Sequence, residues 1–243
     1  MPKPKTTVVK DVLPAPRAVA RQADIHQSIY DAIVEHRLLP GTKLSEERVA
    51  ELFAVSRTQV RGALQRLAVE QLITLIPNRG AFVTTPSAEE AHDVLSVRRT
   101  LEPAAVVRLI ERIAAGKAPT AIKQLRALVK REQQAHARDD RRQAVRLSGD
   151  FHVLLAEVSG SSILARLMRE LTPLTCLAIL TFEAPTAVAC PNDEHALLID
   201  AIEAGDAEGA SQLMIDHLNH IEGALKLDAQ EVQEVDLAEV LFG

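Results

Sequence analysis

From Ser87 onward proline and glycine become sparse, and apolar residues recur at helical spacing without the alternation of a half-buried strand. A stretch this long with a single period points to an all-α antiparallel bundle, because each amphipathic helix has only other helices against which to bury its stripe. The spacing predicts helices over 88–115 with Pro103 inside, 119–138, 141–159, 161–183 with Pro173 inside, 191–204 and 206–227. Six helices are enough to enclose a cavity. Residues 87–227 therefore read as one helical domain, followed at 228–243 by an acidic tail.

The residues before Ser87 follow a different grammar. From Ile25 the positions Ile29, Ala32, Ile33 and Val34 keep helical spacing until "RLLPGTKLS" breaks it at Pro40 and Gly41. Ser45 is placed to cap a second helix, with Glu46 and Glu47 at its positive end, and that helix ends near Phe53. Ser56 and Gln59 then have the spacing of a capping box, so "VSRTQVRGALQRL" opens a third helix after a tight turn. The short β-branched runs "LITLIP" and "AFVTT", separated by "PNRG", predict a hairpin with Gly80 in its turn. Residues 21–86 thus read as a winged helix-turn-helix, preceded at 1–20 by a Pro/Lys-rich arm expected to be disordered.

Charge separates the same two halves. Residues 1–85 carry 12 lysines and arginines against 8 acids, whereas residues 86–243 carry 16 against 25, within a chain of formal net charge −5. The basic half is the one suited to a polyanion. On the third helix Val60, Ala63, Leu64 and Leu67 share one arc, and Arg57, Thr58, Arg61 and Gln65 share another. A charged arc on an arbitrary helix is usually a solvated face. Here it begins at the N-terminus of the second helix of a tight helix-turn-helix, where backbone N–H groups favour phosphate, and a wing bearing Asn78 and Arg79 follows. Double-stranded DNA is the partner this arrangement suits.

The stretch "LLPGTKLSEERVAELFAVSRTQVRGALQRLAVEQLITLIPNRGAFV" resembles the winged helix-turn-helix of the GntR family of bacterial transcription regulators. The resemblance implies operator contacts from Arg57, Thr58 and Arg61, and a wing at Asn78, Arg79 and Gly80 that enters the minor groove. Three positions depart from the family pattern. Gln59 stands for a usual proline and completes the cap, and Gly62 stands for a usual glutamate and reads as a tolerated surface glycine. Glu47 stands where many members carry a phosphate-contacting arginine.

Among eight histidines, His152, His195 and His217 stand on three different expected helices. One histidine on a helix is ordinarily a surface or satisfied core residue. Together, "VRRTLEPAA", "FHVLLAEVSG", "EHALLIDAIEAGDAEGA" and "MIDHL" resemble FCD, the effector-binding and oligomerisation domain of the FadR subfamily of GntR regulators. The resemblance implies a divalent metal, Zn²⁺ or similar, held by His152, His195 and His217 in a bundle that admits a small carboxylate. A metal-free polar histidine cluster is the alternative. The family's acidic ligand falls on Ser148, one turn before His152, while Asp150 faces away. Arg98 matches an arginine whose planar fork suits a carboxylate effector, and Glu102 at i+4 is its competing partner.

These observations favour a homodimeric, effector-responsive transcription regulator, a repressor released by a small organic acid and binding a palindromic operator. The alternative of another class is a metal-dependent hydrolase using the three histidines. It lacks an acid one turn from a histidine in the manner of H-E-x-x-H. No segment reads as a membrane span, and the N-terminus lacks the apolar core of a secretion signal, so the expected place is the cytoplasm. Cys176 and Cys190 fit no metal-ligand spacing and read as reduced thiols.

Overall fold

The computed structural model describes residues 22–182 and 193–227; the expected arm at 1–20, the acidic tail at 228–243 and Cys190 lie outside them. The front of the chain runs α1 (Gln22–Val34), β1 (Lys43–Leu44), α2 (Glu46–Phe53), α3 (Arg57–Val69), β2 (Ile73–Ile76) and β3 (Gly80–Val83). Ser45 caps α2, and the capping box at Ser56 forms in full: its hydroxyl accepts from the Gln59 N–H, and its own N–H donates to Gln59 Oε1. Between these helices Ala54 adopts φ 53°, the left-handed conformation that makes the turn tight. Val60, Ala63, Leu64 and Leu67 pack into one core with Ile25, Ile29 and Ile33 of α1.

The wing differs from expectation in two respects. It is three-stranded, in order β1-β3-β2 and antiparallel throughout, because Lys43 and Leu44 pair with Phe82 and Ala81. Gly80 is not in the turn: it pairs with Ile76 as the first residue of β3, and Asn78, at φ 62°, makes the reversal. Gly80 itself has φ 103°, a conformation that disfavours a side chain. Gly62 is also no open surface position, since a Cβ there would meet the Gln22 side chain at 2.4 Å.

The helical domain comprises α4 (Ala88–Ala114), α5 (Ala121–Ala137), α6 (Arg141–Val158), α7 (Ser162–Phe182), α8 (Glu194–Ala204) and α9 (Ala207–Ala224). A capping box between Ser87 and Glu90 starts α4, which continues through Pro103. Its buried stripe runs Ala91, Leu95, Arg98, Glu102, Ala105, Val106 and Leu109, so two charged residues occupy positions whose spacing is that of a core. Helix α9 ends at Ala224, one turn before the expected end, and α8 begins at Glu194. The two domains are joined by packing as well as by chain: Leu177 of α7 is fully buried in the core of the winged domain.

Candidate functional site

The cap at Ser56 starts α3 at Arg57, leaving Arg57, Thr58, Arg61 and Gln65 exposed on the face away from Val60, Ala63, Leu64 and Leu67. Both arginines are engaged by the first turn of α2. Arg61 donates from Nε and Nη2 to the two oxygens of Glu46, at 2.9 and 2.8 Å, and Arg57 donates from Nη2 to Glu47. On the wing, Asn78, Arg79 and Gly80 are exposed, with the Arg79 guanidinium 6.0 Å and the Lys43 ammonium 5.8 Å from the Phe82 ring centre. This surface has the shape of a recognition helix beside a basic hairpin.

In the helical domain α6, α8 and α9 bring His152, His195 and His217 together, all three buried, with one ligand nitrogen from each lying within 4.8 Å of the others. Each ring is fixed by a carboxylate on Nδ1: His152 by Glu102 at 2.5 Å, His195 by Glu132 at 2.9 Å and His217 by Glu194 at 2.7 Å. A carboxylate can only accept, so Nδ1 carries the proton in each neutral ring and Nε2 keeps its lone pair. His152 Nε2 and His217 Nε2 face one another at 3.2 Å, and His195 Nε2 is buried without a hydrogen-bond partner.

Two lone pairs aimed at each other in a buried site repel unless a proton or a cation lies between them. A tetrahedral ion with metal–nitrogen bonds of about 2.0–2.1 Å sets its ligand nitrogens about 3.3 Å apart, so the donor set fits a divalent metal. The outer carboxylates do what such groups do around metal-bound imidazole: they orient the rings and raise their basicity.

Burial keeps the His152 and His217 rings neutral. Burial holds the His152 imidazole down at about 3 despite the opposing pull of Glu102, and burial likewise lowers His217 against the pull of Glu194. Burial alone would raise the Glu102 carboxyl, but Arg98 and then His152 outweigh it and hold it down at about 2.

A cavity of about 280 Å³ opens beside this cluster, with His152 and Arg98 in its wall together with Ser148, Thr172, Thr175 and Cys176. Arg98 is 1% exposed; its Nε donates to Glu102 at 2.6 Å and its Nη1 to Thr175 at 3.0 Å, while Nη2 has no partner. The pair with Glu102 and a position in the cavity wall therefore coexist. Ser148 lines the cavity and supplies no carboxylate. Next to it, Gly149 lets α6 approach α7, where a Cβ would meet Thr172 Cγ2 at 2.9 Å. Cys176 is a buried thiol that burial pushes up to about 12, so it stays protonated.

Sequence reasoning missed Glu132 and Glu194, and it treated Glu102 only as a partner of Arg98. A signal existed for Glu132: it interrupts the buried stripe Leu125, Leu128, Val129, Ala135 of α5 at a core position.

Comparison with known proteins agrees with this geometry. Residues 93–220 match the FCD domain, and residues 21–83 match the family described as bacterial regulatory proteins, gntR family. The chain belongs to the FCD-bearing GntR regulators. It is 26% identical over 182 residues to YdhC, an HTH-type transcriptional regulator of Bacillus subtilis, covering 74% of this chain and 80% of that one. It is 25% identical over 212 residues to the HTH-type transcriptional repressor RspR of Escherichia coli, covering 85% and 91%. A solved structure of a GntR regulator from Rhodococcus sp. RHA1 superposes with a TM-score of 0.73 at 25% identity, over 83% of this chain and 95% of that one.

The protein is thus a DNA-binding transcription regulator of mainly α fold. The family is not one of enzymes, so the reading as a metal-dependent hydrolase falls. Among the described residues no helix of this regulator is long and apolar enough to cross a membrane.

Proposed function

We propose that the protein is a cytoplasmic, homodimeric repressor that leaves its operator when a small carboxylate enters the cavity of the helical domain. The observation that carries this is Arg98, a buried cation with one unpartnered nitrogen in the wall of a cavity that His152 also borders. A guanidinium so placed is matched by a carboxylate, which accepts from its planar edge. His152, His195 and His217 would hold the divalent ion, and the chemistry such an ion supplies is a Lewis-acid charge for a carboxylate oxygen. With Ser148 in place of an acid, the site keeps more positive charge than a set of three histidines and one carboxylate, which favours an anionic effector.

Operator contacts are assigned to Arg57, Thr58, Arg61 and Gln65 on α3, and to Asn78, Arg79 and Gly80 on the wing. Two recognition helices about 34 Å apart are required for successive half-sites, a span that a paired helical domain sets better than a flexible arm. The test is selection of an operator from random DNA, followed by a search among organic acids for those that release the selected duplex. Arg57→Ala and Arg61→Ala should each weaken operator binding by about 1–3 kcal/mol where they read bases. Unchanged binding in both variants would remove the DNA face. Metal content of the purified protein, and its loss in His195→Ala, tests the ion.

A further inference from the structure

The acid at position 47 is tied to the arginine assigned to the operator. Glu47 lies in the first turn of α2 and accepts a hydrogen bond from Arg57 Nη2 at the start of α3, with both side chains exposed. One residue away Glu46 holds Arg61 by two bonds, so the two arginines that α3 contributes to the DNA face are each carried on a carboxylate. The two pairs differ in what they leave free. Arg61 gives its whole Nε–Nη2 edge to Glu46, whereas Arg57 gives Glu47 only one nitrogen and keeps Nε and Nη1.

We infer that Glu47 is a positioning residue for Arg57 that raises the regulator's selectivity for its operator and lowers its affinity for DNA of any other sequence. A guanidinium that meets a phosphate while still bonded to Glu47 brings the carboxylate toward the phosphate charge, and the two repel. The major-groove edge of guanine instead presents N7 and O6, two acceptors without a full negative charge, and a guanidinium held by a carboxylate on one side can still donate to them from the other. Sequence-independent binding draws almost entirely on phosphate contacts, so the repulsion falls on that mode. Base contact keeps the benefit of an arginine already oriented. The inference rests on the assignment of Arg57 to the operator.

The experiment measures full-length protein against the selected operator and a scrambled duplex of equal length, over a range of salt concentrations. Glu47→Gln removes the charge at nearly constant size, Glu47→Asp keeps it, and Arg57→Ala removes the group that Glu47 acts through. In Glu47→Gln the scrambled duplex should bind about three- to tenfold more tightly, with its log–log salt dependence steeper by about one unit. The operator should gain less, so the ratio of the two affinities falls, and Glu47→Asp should return the ratio toward that of the parent.

In the Arg57→Ala background Glu47→Gln should leave the ratio unchanged. An equal gain for the scrambled duplex in both backgrounds would show Glu47 acting as bulk charge and would overturn the inference. So would an unchanged ratio in Glu47→Gln while Arg57→Ala weakens operator binding. Operator binding untouched by Arg57→Ala would instead overturn the assignment beneath it.

Discussion

Ser148 and His36 show how much a single side chain decides here. Ser148 sits one helical turn before His152 and lines the cavity, so an acid there would lie on the side of α6 that faces the histidines. Ser148→Asp should therefore tighten divalent metal, seen as a lower dissociation constant in competition with a chelator, and weaken an acidic effector. Tighter binding of both would show that the effector does not meet the site's charge.

The three histidines were legible in the chain through the resemblance of the segments that carry them to FCD, since helical spacing alone does not set them apart from other histidines. Their Nδ1 carboxylates were not: Glu102 and Glu132 reach His152 and His195 across 50 and 63 residues, a pairing set by how α4 and α5 pack rather than by any local spacing.

His36 follows α1 with φ 57°, and its Nε2 is buried without a hydrogen-bond partner. Burial, with Arg141 adding to it, lowers its pKa from 6.5 to about 4. The unfolded chain then binds a proton that the folded one refuses. Its contribution to stability is full above pH 6.5 and is lost as pH falls through 4. His36→Asn tolerates the left-handed backbone and removes the titration, so its urea midpoint should fall less than the parent's between pH 7 and about 4.5. Parallel pH profiles would discard the effect.

At the scale of elements, the helices followed from periodicity and caps: Ser45 and Ser56 cap as their spacing predicted, and the structure adds Ser87 as the cap of α4. Strand β1 did not, because two residues are too few to show a period, and Lys43–Leu44 becomes a strand only by pairing with β3. Gly62 is the informative weak point of α3. Replacing it by alanine should gain about 0.5–1 kcal/mol of helix propensity. Against that, the new methyl must move the Gln22 amide, now 2.4 Å from where it would sit. The amide is the free end of a flexible side chain in the first turn of α1, so the cost is small. Gly62→Ala should raise the thermal midpoint by a few degrees. A lowered midpoint would mean that α1 is held against α3 through Gln22.

Across the whole molecule, α6 connects the cavity to the DNA-binding domain. One part of its surface carries Ser148, Gly149 and His152 at the cavity; another carries Arg146, which pairs with Asp31 on α1 at 3.3 Å and with Glu35 just past the end of α1. Helix α1 in turn shares its core with α3, the helix that bears Arg57 and Arg61. If effector binding shifts α6, the shift would reach α1 through a two-acid clamp on one arginine, while α7 holds the domains together through Leu177. Allostery of this kind is a coupling free energy between two sites, so it can be lost while each site still binds. Arg146→Ala should leave operator affinity and effector affinity within about twofold of the parent, yet reduce the factor by which effector weakens operator binding, typically 5- to 150-fold in such systems, toward one. Operator and effector titrations, each run with and without the other ligand, give that factor twice, and reciprocity requires the two values to agree. Full coupling in Arg146→Ala would place the connection in the apolar contacts of α7 instead.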